Sequence, residues 1–306
     1  MHSEHVAILG AGAVGCYFGG MLARAGVRVT LIGREQHVSA IKRDGLYLDR
    51  DDFQGYIKIG ADTRLEAVRD ASIVLLCVKT VDTVTAALAA RPYISKDTLL
   101  VSFQNGVDNV ERIRDATGID AVPAVVYVAA EMTGPGQVKH AGRGDIVIGS
   151  VNRIAVLFES ARIPCRISNN IAGELWTKLV MNCAYNAISA VGQCQYGVIK
   201  SNPLTQDVMR ELVREVVAVG VAGGVVLPAA DELIAAAFKL GDAMATATSS
   251  TAQDLARGRP TEIDSLNGYV ARRGQELGVR TPVNSTLHGL VKLLEESATR
   301  STKGTK

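Results

Sequence analysis

Val6-Ala7-Ile8-Leu9-Gly10-Ala11-Gly12-Ala13-Val14-Gly15 is the stretch that decides the fold. An apolar run of strand type leads without a linker into GAGAVG, and a helix-like segment follows through Arg24 to Gly26. The first two glycines allow a tight turn and let backbone N–H groups approach a pyrophosphate, while Gly15 lets helix and strand pack closely. GxGxxG alone is a weak signal, because glycine turns also serve packing. The strand before it, the helix after it and a second strand at Val27–Ile32 together predict a nucleotide-binding half. Gly10, Ala11, Gly12, Ala13, Val14 and Gly15 are its candidate cofactor loop.

Outward from that loop the chain reads as alternating strands and helices. The second strand ends at Ile32-Gly33-Arg34, where a carboxylate would accept the ribose hydroxyls of NAD. Arg34 stands there instead, and its fork of donors suits a 2′-phosphate, which favours NADP; the plainer reading is a solvated residue at a helix start. Glu35–Arg43 reads as a short helix, and Gly45–Ile59 as extended pieces turning near Gly55. Ala71–Val78 is a continuous apolar run of buried-strand type ending in Lys79-Thr80. Ligands of open parallel sheets bind beyond the carboxyl ends of strands, so Lys79 is a candidate for phosphate or substrate contact, or else a surface lysine opening the next helix, Val81–Ala90. The strand Thr98–Ser102 runs into Phe103-Gln104-Asn105-Gly106. Asn105 could orient a carboxamide or carbonyl there, or simply form an Asn-Gly turn.

From Ala121 the texture changes. Val122–Ala130, Gln137–His140, Asp145–Ile148 and Ile163–Ile167 look like shorter strands around Gly134-Pro135-Gly136 and Gly142-Arg143-Gly144, completing the sheet. The polar Ser168-Asn169-Asn170 marks a boundary, giving domains 1–169 and 170–306. Beyond it the pattern is helical: Ile171–Val191, Thr205–Ala222, Ala229–Ala245, Glu262–Leu277 and Thr281–Leu294. Val216–Ala230 reads as a buried helix end and turn, and Ser297–Lys306 as a frayed tail.

The composition sets bounds on function. The 306 residues suffice for two domains, and 47 % hydrophobic with 21 % charged residues is an ordinary globular mixture. With 33 basic and 31 acidic residues, the net charge of +2 gives no reason to expect a nucleic-acid or membrane partner. Met1–His5 lacks a basic segment followed by an apolar one, so no secretory signal is expected. Five scattered cysteines without CxxC spacing read as reduced thiols, in keeping with a cytoplasmic protein. The five histidines, His2, His5, His37, His140 and His288, form no local metal pattern.

The main chemical signal is Glu174-Leu175-Trp176-Thr177-Lys178-Leu179-Val180-Met181-Asn182-Cys183-Ala184-Tyr185-Asn186. Lys178, Asn182 and Asn186 are spaced by four and share one helix face with mostly apolar flanks. An amine and two amides on a largely buried surface must be paired with something, a ligand or a neighbouring helix. At a domain cleft, the Lys178 ammonium could stabilise the oxygen that becomes an alkoxide as hydride arrives, then donate the proton, with partial burial lowering its pKa. A second polar run, Ser249 to Asp264, separates two apolar helices. Thr261 could cap a helix beginning at Glu262, with Asp264 a favourable first-turn charge; Ser250 and Glu262 are candidate substrate ligands.

GAGAVG, Lys79, Gln104-Asn105-Gly106, LWTKLVMNCAYN and the stretch from Ser250 through GRPTEID together resemble the ketopantoate reductase (2-dehydropantoate 2-reductase) family over nearly the whole chain. The resemblance implies an N-terminal Rossmann-type domain followed by an all-helical C-terminal domain, with the active site between them. It implies Lys178 as general acid, Asn182 and Asn186 lining the substrate pocket, Ser250 on the substrate carboxylate and Glu262 on its hydroxyl. Asn105 would contact substrate and nicotinamide, and Lys79 and Arg34 would hold NADPH. The implied reaction reduces ketopantoate to pantoate on the way to pantothenate and coenzyme A. The alternatives are another branched 2-oxo acid as substrate, or a nucleotide-binding redox sensor without turnover. Pro260 departs from the family pattern before Thr261 and constrains the backbone there. A homodimer through the helical domain is allowed by the sequence without being required.

Overall fold

The structure, a computed structural model, describes residues 4–303, with side chains to residue 297. The chain divides into two compact units, Met1–Ile171 and Ala172–Lys306.

The first unit runs β1 (His5–Leu9), α1 (Ala13–Arg24), β2 (Arg28–Ile32), α2 (Glu35–Asp44), β3 (Leu46–Arg50), β4 (Phe53–Ile57), β5 (Gly60–Asp62), β6 (Ile73–Leu76) and α3 (Thr83–Ala90). It continues with β7 (Leu99–Ser102), α4 (Asn109–Thr117), β8 (Val122–Gly134), β9 (Gln137–Ile148), α5 (Asn152–Ser160) and β10 (Cys165–Ile167). The strands form one sheet in the order β4-β3-β9-β8-β7-β6-β1-β2-β5, with β10 on β9. From β5 to β8 every neighbouring pair is parallel. Without the inserted β3–β4 hairpin, this run has the Rossmann order 3-2-1-4-5-6. The order reverses between β1 and β6, so their carboxyl ends flank the crevice where such sheets take ligands.

Alternation along β1 builds both faces of the sheet. Val6 and Ile8 join a core with Phe18, Leu22 and Phe158, while Ala7 and Leu9 join another with Val74, Leu76 and Ile113. β1 is therefore buried on both sides, as a central parallel strand must be.

The structure differs from the sequence reading in several places. The early turn falls at Asp51-Asp52, and Gly55 lies within β4, paired with Leu48. The four short strands expected after Ala121 resolve into two long antiparallel ones, β8 and β9, followed by β10. Gly142-Arg143-Gly144 lies inside β9, with φ of 157°, 57° and 122°, and the β8–β9 register shifts beside it. That bulge absorbs what the sequence suggested was a break. Helix α5 was not anticipated.

Among the described residues the second unit holds only helices: α6 (Ile171–Gly192, starting at the unit boundary), α7 (Tyr196–Ser201), α8 (Pro203–Ala222), α9 (Ala230–Ala243), α10 (Ser250–Ala256), α11 (Asn267–Leu277) and α12 (Pro282–Lys303). The Asn202 side chain accepts the Leu204 N–H and so caps α8, with Pro203 at its first position. The start of α12 is held by Glu215, which accepts from the N–H groups of Val283 (2.8 Å) and Asn284 (2.9 Å). Three expectations change. The turn after α8 is exposed rather than buried, with Val226 73 % accessible. The segment expected to fray from Ser297 stays helical to Lys303, and residues 304–306 lie outside the described residues, as do Met1–Ser3. The helix expected to start at Glu262 starts at Asn267, after a 3-10 turn at Ile263–Ser265 and a backbone break at Leu266 (φ −112°, ψ −107°).

No described helix is long and apolar enough to cross a membrane. Among the described residues no group of histidine, cysteine and carboxylate side chains is arranged to hold a metal. All five cysteines are free thiols; burial pushes the Cys16 thiol up to about 12 and raises Cys77 and Cys183 as well.

Candidate active site

The site residues read from the sequence fall into two groups, one on each unit. In the first unit they stand at the carboxyl ends of adjacent strands: the glycine loop after β1, Arg34 after β2, Lys79 after β6 and Asn105 after β7.

The loop geometry gives its glycines different jobs. Gly10 has φ +113°, and a Cβ built there would lie 2.8 Å from the Cys77 carbonyl carbon, against the backbone leaving β6. Gly10 and Ala11 both donate backbone N–H to the Ile32 carbonyl (2.9 and 3.0 Å), which folds the turn over the end of β2. A Cβ on Gly15 would collide with the Gly10 carbonyl oxygen and lie 2.9 Å from Ile8 Cγ2, so this glycine permits the close helix–strand approach. A Cβ on Gly12 would meet nothing within 4 Å. The protein's own packing leaves that side of Gly12 open, at the N-cap of α1, whose first turn carries no acidic residue. The open space, free helix N-terminus and exposed Arg34 fit a dinucleotide with a 2′-phosphate.

The loops after β6 and β7 are joined by a buried polar web that the sequence reading missed. Asn105 presents its carbonyl to Thr80 Oγ1 (2.7 Å) and Asn109 Nδ2 (2.7 Å). Gln104 Nε2 donates to the Val78 carbonyl (3.1 Å) and to Thr83 Oγ1 (2.7 Å). The Thr83 hydroxyl proton has two acceptors in reach, the Thr80 carbonyl (2.8 Å) and Asn109 Oδ1 (2.9 Å). Thr80, Thr83, Gln104 and Asn109 are all buried, so Asn105, itself half-buried, sits on a fixed backbone. Threonines three apart just past a strand end were the available signal. Lys79 is exposed and opens the 3-10 turn Thr80–Asp82.

In the second unit, Lys178 and Asn182 are half-buried and Asn186 is buried, successive along one face of α6. At about 1.5 Å per residue, Lys178 stands roughly 12 Å along the axis from Asn186. Two neighbours dock at the Asn186 end. Ser249 Oγ donates to the Asn186 carbonyl (3.1 Å) and accepts the Ala252 N–H (3.0 Å), while its own N–H donates to Ser189 Oγ (3.2 Å). Ser249 thus caps α10 and ties it to α6, leaving Ser250 exposed at the first position of α10. Ser-Ser-Thr-Ala before a short helix is an N-cap pattern that could have identified Ser249. On the other side, Ile263 is fully buried in a cluster that includes Ala187 and Ala190 of α6 together with Ala252 and Val291, and the half-buried Glu262 precedes it in the chain.

Comparison with known proteins follows the same two-part division. The family described as ketopantoate reductase PanE/ApbA matches residues 6–153, and its C-terminal part matches residues 170–295. A 2-dehydropantoate 2-reductase of Pyrococcus abyssi is 32 % identical over 93 % of this chain and 96 % of its own. The crystal structure of a PanE/ApbA family ketopantoate reductase from Ralstonia eutropha JMP134 superposes with a TM-score of 0.93 at 47 % identity, covering 97 % of this chain and 100 % of that one. D-mandelate dehydrogenase with NADH and anilino(oxo)acetate superposes at 0.90 and 25 % identity, with the same coverage. With both parts matched in order across most of its length, the chain belongs to the ketopantoate reductase PanE/ApbA family.

Proposed function

We propose that this protein reduces 2-dehydropantoate (ketopantoate) to pantoate with NADPH, in the biosynthesis of pantothenate and coenzyme A. What supports the reading most is the polar face of α6, with Lys178, Asn182 and Asn186 in succession and the start of α10 tied to the Asn186 carbonyl through Ser249. It comes with a first unit in whose glycine loop a Cβ at Gly12 would meet nothing within 4 Å.

The NADPH would be held over the Gly10–Gly15 loop by the N–H groups of Gly12–Gly15, with Arg34 and Lys79 on its phosphates and Asn105 at its nicotinamide. Bound there, it supplies the hydride for the carbonyl carbon of the substrate. Lys178 stabilises the developing alkoxide and gives up the proton that completes the alcohol, work worth roughly 10²–10⁴ in rate for a positioned acid. Ser250 and Asn182 and Asn186 bind and orient the 2-oxo acid. Glu262 accepts a hydrogen bond from the substrate hydroxyl, and a site built around that bond rejects an analogue lacking it, because its own polar group is left unpaired.

A second reading, an aryl 2-oxo acid reduced with NADH, draws on the likeness to D-mandelate dehydrogenase. Steady-state kcat/KM for ketopantoate, 2-oxoisovalerate and phenylglyoxylate, each with NADPH and NADH, tests both. Ketopantoate with NADPH should lead by at least about tenfold. A lead for phenylglyoxylate with NADH would replace the first reading by the second.

A further inference from the structure

Three side chains on one face of α12 converge on the segment that carries Glu262. His288, Lys292 and Glu295 are spaced by four and three, so they share that face. Glu295 Oε1 accepts the backbone N–H of Thr261 (2.8 Å), and its other oxygen pairs with Lys292 Nζ (2.7 Å). Lys292 also reaches Asp264 Oδ2 (2.9 Å), and His288 Nε2 lies 2.6 Å from Asp264 Oδ1. Space for the imidazole comes from Gly268, where a Cβ would stand 2.7 Å from His288 Nε2. The Asp264 carbonyl accepts from Arg272 Nη2 (2.9 Å), and Thr261 Oγ1 accepts the Ile263 N–H (3.2 Å).

Glu262 therefore sits between an anchored Thr261 and an anchored Ile263. Thr261 is 3 % exposed, so its N–H requires a partner inside the protein, and a carboxylate 34 residues away supplies it. The Glu295 carboxyl is held below its usual range: burial pushes it up, but the donors Lys292 and Thr261 together outweigh that. Glu295 thus remains an ionised acceptor between Thr261 and Lys292. Such an arrangement fixes where the next carboxylate along the chain projects, and a displacement near 1 Å of a recognition group is enough to cost up to about 10² in rate.

We propose that Glu295 is a positioning residue that sets substrate selectivity by fixing the Thr261–Glu262 backbone, with Lys292 and Asp264 holding it in place. This rests on the reading of Glu262 as the ligand of the substrate hydroxyl. Glu295 acts through Glu262 and takes no part in hydride or proton transfer.

The test compares wild type, Glu295→Ala, Glu295→Gln and Glu262→Ala in kcat and KM for ketopantoate and 2-oxoisovalerate. Amide exchange over residues 259–266 and NADPH affinity are measured alongside. Glu295→Ala should raise KM for ketopantoate about tenfold, with kcat within about threefold and 2-oxoisovalerate nearly unaffected, so that selectivity falls toward that of Glu262→Ala. Exchange at 259–266 should accelerate and NADPH affinity should hold. Glu295→Gln keeps an acceptor for the Thr261 N–H and should recover most of the selectivity. A Glu295→Ala enzyme with lowered melting temperature but wild-type selectivity would overturn the proposal and leave Glu295 a stabilising residue. Selectivity unmoved in Glu262→Ala, or no ketopantoate turnover by wild type, would instead overturn the underlying reading of Glu262, and the proposal with it.

Discussion

The two groups of site residues are held in place by opposite means. After β6 and β7 the loops are fixed by neutral side chains that are almost wholly buried, Thr80, Thr83, Gln104 and Asn109. Thr261–Ser265 is fixed largely by charges, with the Asp264 and Lys292 side chains 42 % and 40 % exposed and the Glu295 side chain 16 %. A neutral buried web gives nothing to salt or pH but fails sharply when one member is deleted, because the partners left behind are desolvated and unpaired. A half-exposed charged network loses less with each deletion and responds to the medium. The contrast suits the roles proposed for the two regions. A cofactor common to many substrates calls for a rigid cradle, and a carboxylate that reads one hydroxyl needs only local anchoring.

The largest effect should come from the glycine loop. Gly15→Ala places a methyl against the Gly10 carbonyl and Ile8, an overpacking expected to cost about 1–3 kcal/mol and to weaken NADPH binding more than tenfold. Gly12→Ala meets nothing in the protein, so thermal unfolding should be unchanged while NADPH affinity falls about tenfold. Wild-type affinity in Gly12→Ala would show that the open space beside Gly12 does not receive the pyrophosphate.

Next is Thr83→Val, which takes a partner from Asn109 Oδ1 and one of the two acceptors from Gln104 Nε2 inside the protein. Urea unfolding should report a loss of about 1–3 kcal/mol, the same at pH 6 and pH 8. A loss that varied across that range would contradict the neutral character of this web.

Asp264→Asn should cost less, under about 1 kcal/mol at pH 7, since its partners are half-exposed. Burial raises the Asp264 pKa, but the donors His288 and Lys292 more than reverse it, so the folded value lies below the ordinary one. The stabilisation is therefore present above the unfolded pKa of about 3.9 and is lost as pH falls through the lower folded value. The gap between wild type and Asp264→Asn should close as pH falls below about 4. The smallest effect is ionic. Raising NaCl from 0.05 to 0.5 M should narrow the Asp264→Asn gap by a few tenths of a kcal/mol and leave the Thr83→Val gap unchanged. Equal salt sensitivity in the two variants would erase the contrast.

The same contrast explains what could be read in advance. The glycine loop, the strands around it and the shared helix face of Lys178, Asn182 and Asn186 are local patterns, in which each residue's place follows from neighbours within one or two turns. The Thr80–Asn109 web joins its two loops through residues 21 to 26 positions apart, and nothing local announces it. The start of α11 was misread for a related reason. Thr261-Glu262 has the composition of a helix start, but Asp264 is drawn to His288 and Lys292 on α12. Buried Asn267 then bonds Asn284 (3.0 Å) at the true start of the helix. Tertiary partners chosen far along the chain overrode a sound local preference. Gly142-Arg143-Gly144 is the strand counterpart, a glycine pair that reads as a break and is used as a bulge.

The most direct test of the account is the Lys178→Ala variant, assayed for ketopantoate-dependent NADPH oxidation and, separately, for NADPH binding. With cofactor binding proposed for the first unit and proton donation for Lys178, NADPH affinity should stay within about twofold of wild type and kcat should fall by about 10²–10⁴. Turnover within about threefold of wild type, with cofactor bound as before, would remove Lys178 from the chemistry and contradict the account at its centre.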